Sequence, residues 1–257
     1  METAFGDSIV STLDIKNCYP TILIAQESRN FFNFYGPSNQ VWTHCATPQG
    51  WAPSLNFCQR ALAWTFRSPV LQKFREEHNL QWEQLPFHSY ELFLICFVDD
   101  LSIYTPAQPS ETSNTKNTSP ISPHEIHYNC VRAVLYTLSG HGWKLSLQKC
   151  TFSNPIFIFL GLRWNLRERE SMVQNDRVES ILSYRVPRSV PELASRLAQI
   201  SYFGNYIIAL KRVSVVLYDI IKKGVWVWKK VHADAYQNLL FIMALSLKNY
   251  IFNPNNL

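Results

Sequence analysis

Apolar and polar positions alternate in short runs through the first half of the chain. Ile9 to Tyr19 opens apolar, reaches Leu13-Asp14-Ile15 and turns polar at Lys16-Asn17 before Cys18-Tyr19-Pro20. This pattern predicts a strand that ends at a turn or short helix, with Asp14 at its C-terminal end. Thr21 to Ala25, Phe31 to Tyr35 and Val41 to Cys45 read as further strands, with Gly36-Pro37-Ser38-Asn39 as a turn. From Ser54 the spacing of Leu55, Cys58, Leu62, Phe66 and Val70 follows one helical face and predicts a helix running towards Arg75. Tyr90 to Val98 and Leu101 to Tyr104 are apolar strands that meet at Asp99-Asp100. Thr105 to Pro123 is rich in Ser, Thr, Asn and Pro without apolar periodicity, and is expected to be a flexible surface loop. His124 to Ser139 predicts a helix closed by Gly140-His141-Gly142, and Trp143 to Leu147 and Ile156 to Trp164 predict strands. From Arg177 onward helical spacing dominates, punctuated by Pro187 and Pro191.

Composition narrows the class without changing these elements. The 257 residues are 47% hydrophobic and 17% charged, which excludes a disordered, collagenous or heptad-repeat chain. Six cysteines are scattered with no Cys-x-x-Cys pair, so neither a zinc ribbon nor a dense disulfide framework is encoded, and a reducing compartment fits. The first ten residues carry Glu2 and Asp7 and lack the basic start and apolar run of a signal peptide, and no uncharged apolar stretch reaches about 18 residues. The expectation is a protein with no membrane partner that is not secreted. The net charge of +5 is unevenly spread: residues 1–126 hold 7 Lys/Arg against 12 Asp/Glu, and residues 127–257 hold 17 against 7. The later half can attract a polyanion, while carboxylates of the earlier half can hold cations.

The doublet Asp99-Asp100 is flanked by apolar strands, so two carboxylates would share a tight turn where they repel each other. A cation relieves that repulsion; an Asp-supported hairpin turn is the competing reading. Asp14, ending another apolar strand, becomes a third ligand if the strands are neighbours, or else caps the following helix. Three carboxylates can hold two divalent ions, which clamp the attacking and leaving oxygens of an in-line phosphoryl or nucleotidyl transfer.

Leu13-Asp14-Ile15-Lys16-Asn17-Cys18-Tyr19, Pro48-Gln49-Gly50-Trp51, Phe97-Val98-Asp99-Asp100, Lys149-Cys150-Thr151-Phe152 and Phe159-Leu160-Gly161 resemble, in order and spacing, successive motifs of reverse transcriptases from retroviruses and gypsy-type LTR retrotransposons. Arg177 to Leu182 and Leu197 to Ile207 are similar to the thumb of that family. The resemblance implies an α+β fold: a polymerase palm with an antiparallel sheet and partial fingers, followed by a mainly helical thumb. Residues 1–165 would form the palm, with partial fingers at about 21–47 and the loop 105–123 as an insertion. Residues 166–257 would form the thumb, ending near the connection to a ribonuclease H region. The implied activity is that of an RNA-directed DNA polymerase, with Mg2+ as two ions, or Mn2+ in their place, held by Asp14, Asp99 and Asp100.

Further roles follow from the same resemblance. Tyr19 would lie under the incoming sugar, Ile15, Gln49 and Gly50 would belong to the nucleotide site, and Lys149 would protonate the departing pyrophosphate. Phe159, Leu160 and Gly161 match the primer grip. The implied partners are an RNA/DNA template-primer duplex, deoxynucleoside triphosphates, and a second polypeptide if the fingers are supplied in trans. The implied location is the cytoplasm, a virus-like particle or the nucleus. Trp226-Val227-Trp228-Lys229-Lys230 offers rings and cations for stacking and phosphate contact, or a core with a charged rim.

Beyond the inserted loop, the sequence departs from the family pattern in three places. The residues that build most of the fingers before the first acid are absent, so the chain reads as truncated or completed by another polypeptide. Phe97 stands for the more usual Tyr, and Leu55 where a Pro is common. A non-catalytic or co-opted palm and thumb that binds nucleic acid or protein is therefore the alternative reading.

Overall fold

The computed structural model describes residues 8–106, 121–168, 170–202 and 210–248, with side chains omitted at 175–178 and 245–248. Most of the loop expected at 105–123 and part of the helix expected through Ile207 lie outside the described residues. The fold is α+β, and the chain divides into two compact units, residues 1–160 and 161–257.

The first unit is built on an antiparallel sheet of β1 (Ser8–Asp14), β4 (Leu94–Phe97) and β5 (Asp100–Pro106), in the order β1-β5-β4. Register pairs Leu13 with Leu101 and Asp14 with Asp100. Successive strand residues point to opposite faces. The alternation that buries Leu13 and Leu101 therefore turns Asp14 and Asp100 to the other face. Helix α4 (Pro123–Gly140) covers the core side with Cys130, Ala133, Val134 and Leu138. Its start is fixed by Ser122, whose hydroxyl accepts the Glu125 N–H, and by Pro123 at the first helical position. A polar link from the helix to two strands runs through this core: His127 on α4 bonds Ser11 of β1 through Nε2 (2.7 Å) and Thr105 of β5 through Nδ1 (2.9 Å).

Several sequence expectations are corrected here. Thr21 to Ala25 is not a strand, because α1 (Cys18–Thr21) occupies its start and Leu23 forms only an isolated bridge to Ala46. Phe31 and Phe32 close a 3₁₀ turn, leaving a short hairpin of β2 (Asn33–Tyr35) and β3 (Val41–Thr43). The long helix from Ser54 is two helices, α2 (Ser54–Thr65) and α3 (Ser68–Glu77). In a continuous helix the Pro69 ring would meet the Thr65 carbonyl, and its nitrogen could donate nothing. Tyr90 to Leu92 is a 3₁₀ turn leading into β4. Trp143 to Leu147 forms no strand of its own: it crosses the end of β1 through an Ile15–Leu145 bridge and then turns. The run from Ile156 breaks after β6 (Ile156–Phe159), because Leu160 (φ 51°) and Gly161 (φ 72°) both take the left-handed conformation.

Cys18 and Cys58 form a disulfide between α1 and α2, and Cys45, Cys96, Cys130 and Cys150 are free. One bond of this kind is compatible with the absence of a dense framework.

The second unit opens with a hairpin of β7 (Leu162–Asn165) and β8 (Glu170–Val173). Four helices follow: α5 (Asn175–Leu182), α6 (Val190–Ser201), α7 (Leu210–Lys223) and α8 (Lys230–Lys248). Ile181, Leu193, Leu197, Leu217, Ile220, Tyr236, Leu239 and Met243 are buried in this unit. Ser189 caps α6 by accepting the Glu192 N–H, with Pro191 in the first turn. Exposed Lys211, Arg212, Lys222, Lys223, Lys229 and Lys230 leave its helical surface cationic.

Candidate active site

The connection from β4 to β5 is as short as a hairpin allows. Phe97 pairs with Asp100, so Val98 and Asp99 alone make the turn. Such turns favour positive φ, which glycine or asparagine adopts at least cost. Here a β-branched residue does so: Val98 has φ 55° and is 5% exposed. A conformation of this kind costs on the order of 1–3 kcal/mol and persists where its surroundings enforce it. The enforcing group is Gln59 on α2. Its Oε1 accepts the Val98 N–H at 2.8 Å, and its Nε2 donates to the Cys96 carbonyl at 3.1 Å. Sequence reasoning passed over Gln59, because a lone glutamine on a helix carries no signal until the turn it clips is known.

The turn delivers the acids to one end of the sheet. Asp14 and Asp100 stand opposite each other on the same face, and the Ile15 N–H donates to the Asp99 carbonyl at 2.9 Å. Asp99 is exposed, whereas Asp14 and Asp100 are half-buried. Lys149 arrives from a third segment. The chain from Lys144 to Thr151 is stitched along β1: Lys16 N–H donates to the Lys144 carbonyl, Ser146 N–H to the Asp14 carbonyl, and Thr12 and Thr151 exchange both backbone bonds. The 3₁₀ turn Leu147–Lys149 then brings Lys149 Nζ to 3.3 Å from Asp14 Oδ2.

The remaining expected residues fall around this centre in different ways. Ile15 is buried directly after Asp14, and Tyr19, half-buried on α1, packs against the same core. Gln49 and Gly50 are exposed in the turn before α2. Gly50 has φ 89°, a conformation that strains any residue with a Cβ. Phe159 is buried at the end of β6, followed by the left-handed Leu160 and Gly161. Phe97, beside Asp100 in register, is half exposed.

The donor set is made of hard carboxylate oxygens, which suit Mg2+ or Mn2+ in preference to softer metals. Asp14 and Asp100 share a face, and Asp99 is next in the chain, so the composition and side of the site fit a divalent cation. Among the described residues, no three His, Cys, Asp or Glu side chains are grouped closely enough to hold an ion. In this arrangement the Lys149 ammonium forms an ion pair with Asp14.

Residues 2–164 match the family model described as Reverse transcriptase (RNA-dependent DNA polymerase). The chain belongs to the reverse transcriptase family. Its fold is that of foamy viral protease-reverse transcriptases. The structure of one in complex with RNA/DNA hybrid has a TM-score of 0.58 and 18% identity, over 91% of this chain and 27% of that one. A second, the dRH form in complex with ds DNA, has a TM-score of 0.58 and 16% identity, over 96% and 38%. A third, in complex with dsDNA, has 0.57 and 15%, over 99% and 46%. The chain thus spans less than half the length of each of these reverse transcriptases. No curated protein matches it. Among the described residues, no helix is long and apolar enough to cross a membrane.

Proposed function

We propose that the chain is the palm, with partial fingers, and the thumb of an RNA-directed DNA polymerase that extends a primer on an RNA or DNA template. Residues 1–165 serve as palm and partial fingers and 166–257 as thumb. One observation carries the reading: the β1–β5 register sets Asp14 opposite Asp100, and a two-residue turn adds Asp99 to the same end of the sheet.

Asp14, Asp99 and Asp100 would hold the divalent ions, with Asp14 and Asp99 as the principal ligands. When bound, two such ions activate the primer 3′-hydroxyl and stabilise the charge on the leaving pyrophosphate. The protein's own groups do the rest. Gln59 fixes the turn that carries Asp99. Tyr19 lies beneath the incoming sugar and excludes a ribose 2′-hydroxyl by bulk, while Ile15, Gln49 and Gly50 line the nucleotide site. Lys149 exchanges its contact with Asp14 for the pyrophosphate oxygens and donates a proton from Nζ as they depart. Phe159, Leu160 and Gly161 support the primer terminus. The cationic surface of α7 and α8 attracts the phosphate backbone of the template-primer duplex. The deoxynucleoside triphosphate is the second substrate, and a second polypeptide supplying fingers would strengthen its binding.

The Lys149–Asp14 ion pair favours a second reading, in which the lysine stands permanently in place of a metal and the module only binds nucleic acid. Primer extension on an RNA template separates the two. Wild type extends the primer in Mg2+ and Asp99→Asn does not, while both bind the hybrid equally. If neither extends and both bind, the polymerase reading of this chain is overturned.

A further inference from the structure

The disulfide sits where it can act on the candidate site from two sides. Cys18 follows Asp14 by one short turn and precedes Tyr19, while Cys58 precedes Gln59, the residue that clips Val98. Both sulfurs are buried, at 4% and 0% residue exposure, and the bond closes a loop across a sequence separation of 40. The two flanking elements differ in how firmly they are held. α2 is a twelve-residue helix with Cys58 and Leu62 in the core. α1 has four residues and follows the left-handed Asn17; at its ends Thr21 N–H (3.2 Å) and Thr21 Oγ1 (2.9 Å) donate to the Asn17 carbonyl, Ile22 N–H donates to the Tyr19 carbonyl (3.0 Å), and Thr47 N–H donates to the Ile22 carbonyl (2.9 Å). Local opening of α1 therefore costs far less than opening the sheet, and it is the route by which a thiol reagent reaches the bond. Burial holds the Cys96 and Cys130 thiols protonated, with Cys96 pushed up to about 12, which removes both as competitors in exchange.

We infer that Cys18 and Cys58 form a redox latch that ties α1, and with it Tyr19, to the helix carrying Gln59. Closing the latch requires an oxidant, and a small-molecule disulfide serves. One cysteine thiolate attacks it to give a mixed disulfide and releases one thiol. The other cysteine then displaces the second thiol. The protein loses two electrons and two protons in all, and the reagent is reduced to two thiols. With the latch closed, α1 is fixed against α2; with it open, α1 is held by the hydrogen bonds at its ends and by its packing. The consequence for nucleotide binding rests on the polymerase reading above, but the consequence for α1 does not.

The test uses the full chain equilibrated in oxidised or reduced glutathione. Alkylation after denaturation, with any glutathione carried by the free Cys45 or Cys150 counted as a thiol, should leave four cysteines outside a protein disulfide in the oxidised form and six in the reduced form. Hydrogen exchange at the Thr21 and Ile22 amides should quicken at least tenfold on reduction, with a melting temperature lower by roughly 5–10 °C. Cys18→Ser should reproduce the reduced behaviour and ignore glutathione; should it fail to fold, the reduced wild type supplies the same comparison. KM for deoxynucleoside triphosphate should rise on reduction. Six cysteines outside a protein disulfide in oxidising buffer, or equal amide exchange in the two forms, would overturn the latch. Loss of extension in both redox forms, with the exchange difference intact, would count against the polymerase reading and leave the latch standing.

Discussion

Val98 is the residue on which the geometry of the acids turns. It is buried, β-branched and left-handed, and Gln59 supplies the only side-chain acceptor described for its N–H. Replacing Gln59 with Ala leaves that buried donor unpaired, a loss of about 1–3 kcal/mol measurable by urea denaturation. Primer extension should fall with the loosened turn, more steeply than hybrid binding. Lys149→Ala removes an exposed partner from Asp14, so stability should move by less than about 1 kcal/mol. If Lys149 is the proton donor proposed above, extension should nonetheless slow markedly, and a change in kcat at constant hybrid affinity is the signature to measure. His127 gives a pH prediction. Burial holds its imidazole at about 4, below its ordinary value near 6.5, so the unfolded chain takes up the proton first. Its contribution is constant above about pH 6.5 and is lost as pH falls towards 4, by up to about 3 kcal/mol. Urea midpoints for His127→Gln should show a flatter pH dependence than wild type across that window.

At the scale of elements, much was legible in the chain. The strand ending at Asp14, the strands flanking Asp99-Asp100 and the helix starting near His124 are all visible as apolar runs with clear stops. Ser122 and Glu125 shift the last of these to Pro123, and Ser122→Ala should cost about 1 kcal/mol of stability in chemical denaturation. Local pattern misleads where pairing is distant or absent. Thr21 to Ala25 has strand composition but only a single bridge partner. Trp143 to Leu147 lies along β1 without forming a ladder, and that crossing alone explains how Lys149 reaches Asp14. The break between α2 and α3 was readable from Pro69, yet the apolar face continues across it and hides the stop. The candidate acids were legible because strand alternation fixes their face. Gln59 was not, because its role depends on a turn thirty-nine residues away.

At the scale of the molecule, charge is spread unevenly over two compact units. Carboxylates gather in the first, and the exposed lysines of α7 and α8 lie in the second. If that second surface tracks a phosphate backbone, hybrid affinity falls linearly in a log–log plot against salt. Neutralising Lys222 and Lys223 together should lower that slope by up to about 2, with little change in stability. The account as a whole rests on Asp14 sharing divalent ions with the Asp99-Asp100 doublet, and Mn2+ titration followed by electron paramagnetic resonance reads this without any need for turnover. Wild type should bind the ion, and Asp14→Asn and Asp99→Asn should each weaken binding, while Lys149→Ala should not. Binding that is absent in wild type, or unchanged in both aspartate variants, would contradict it.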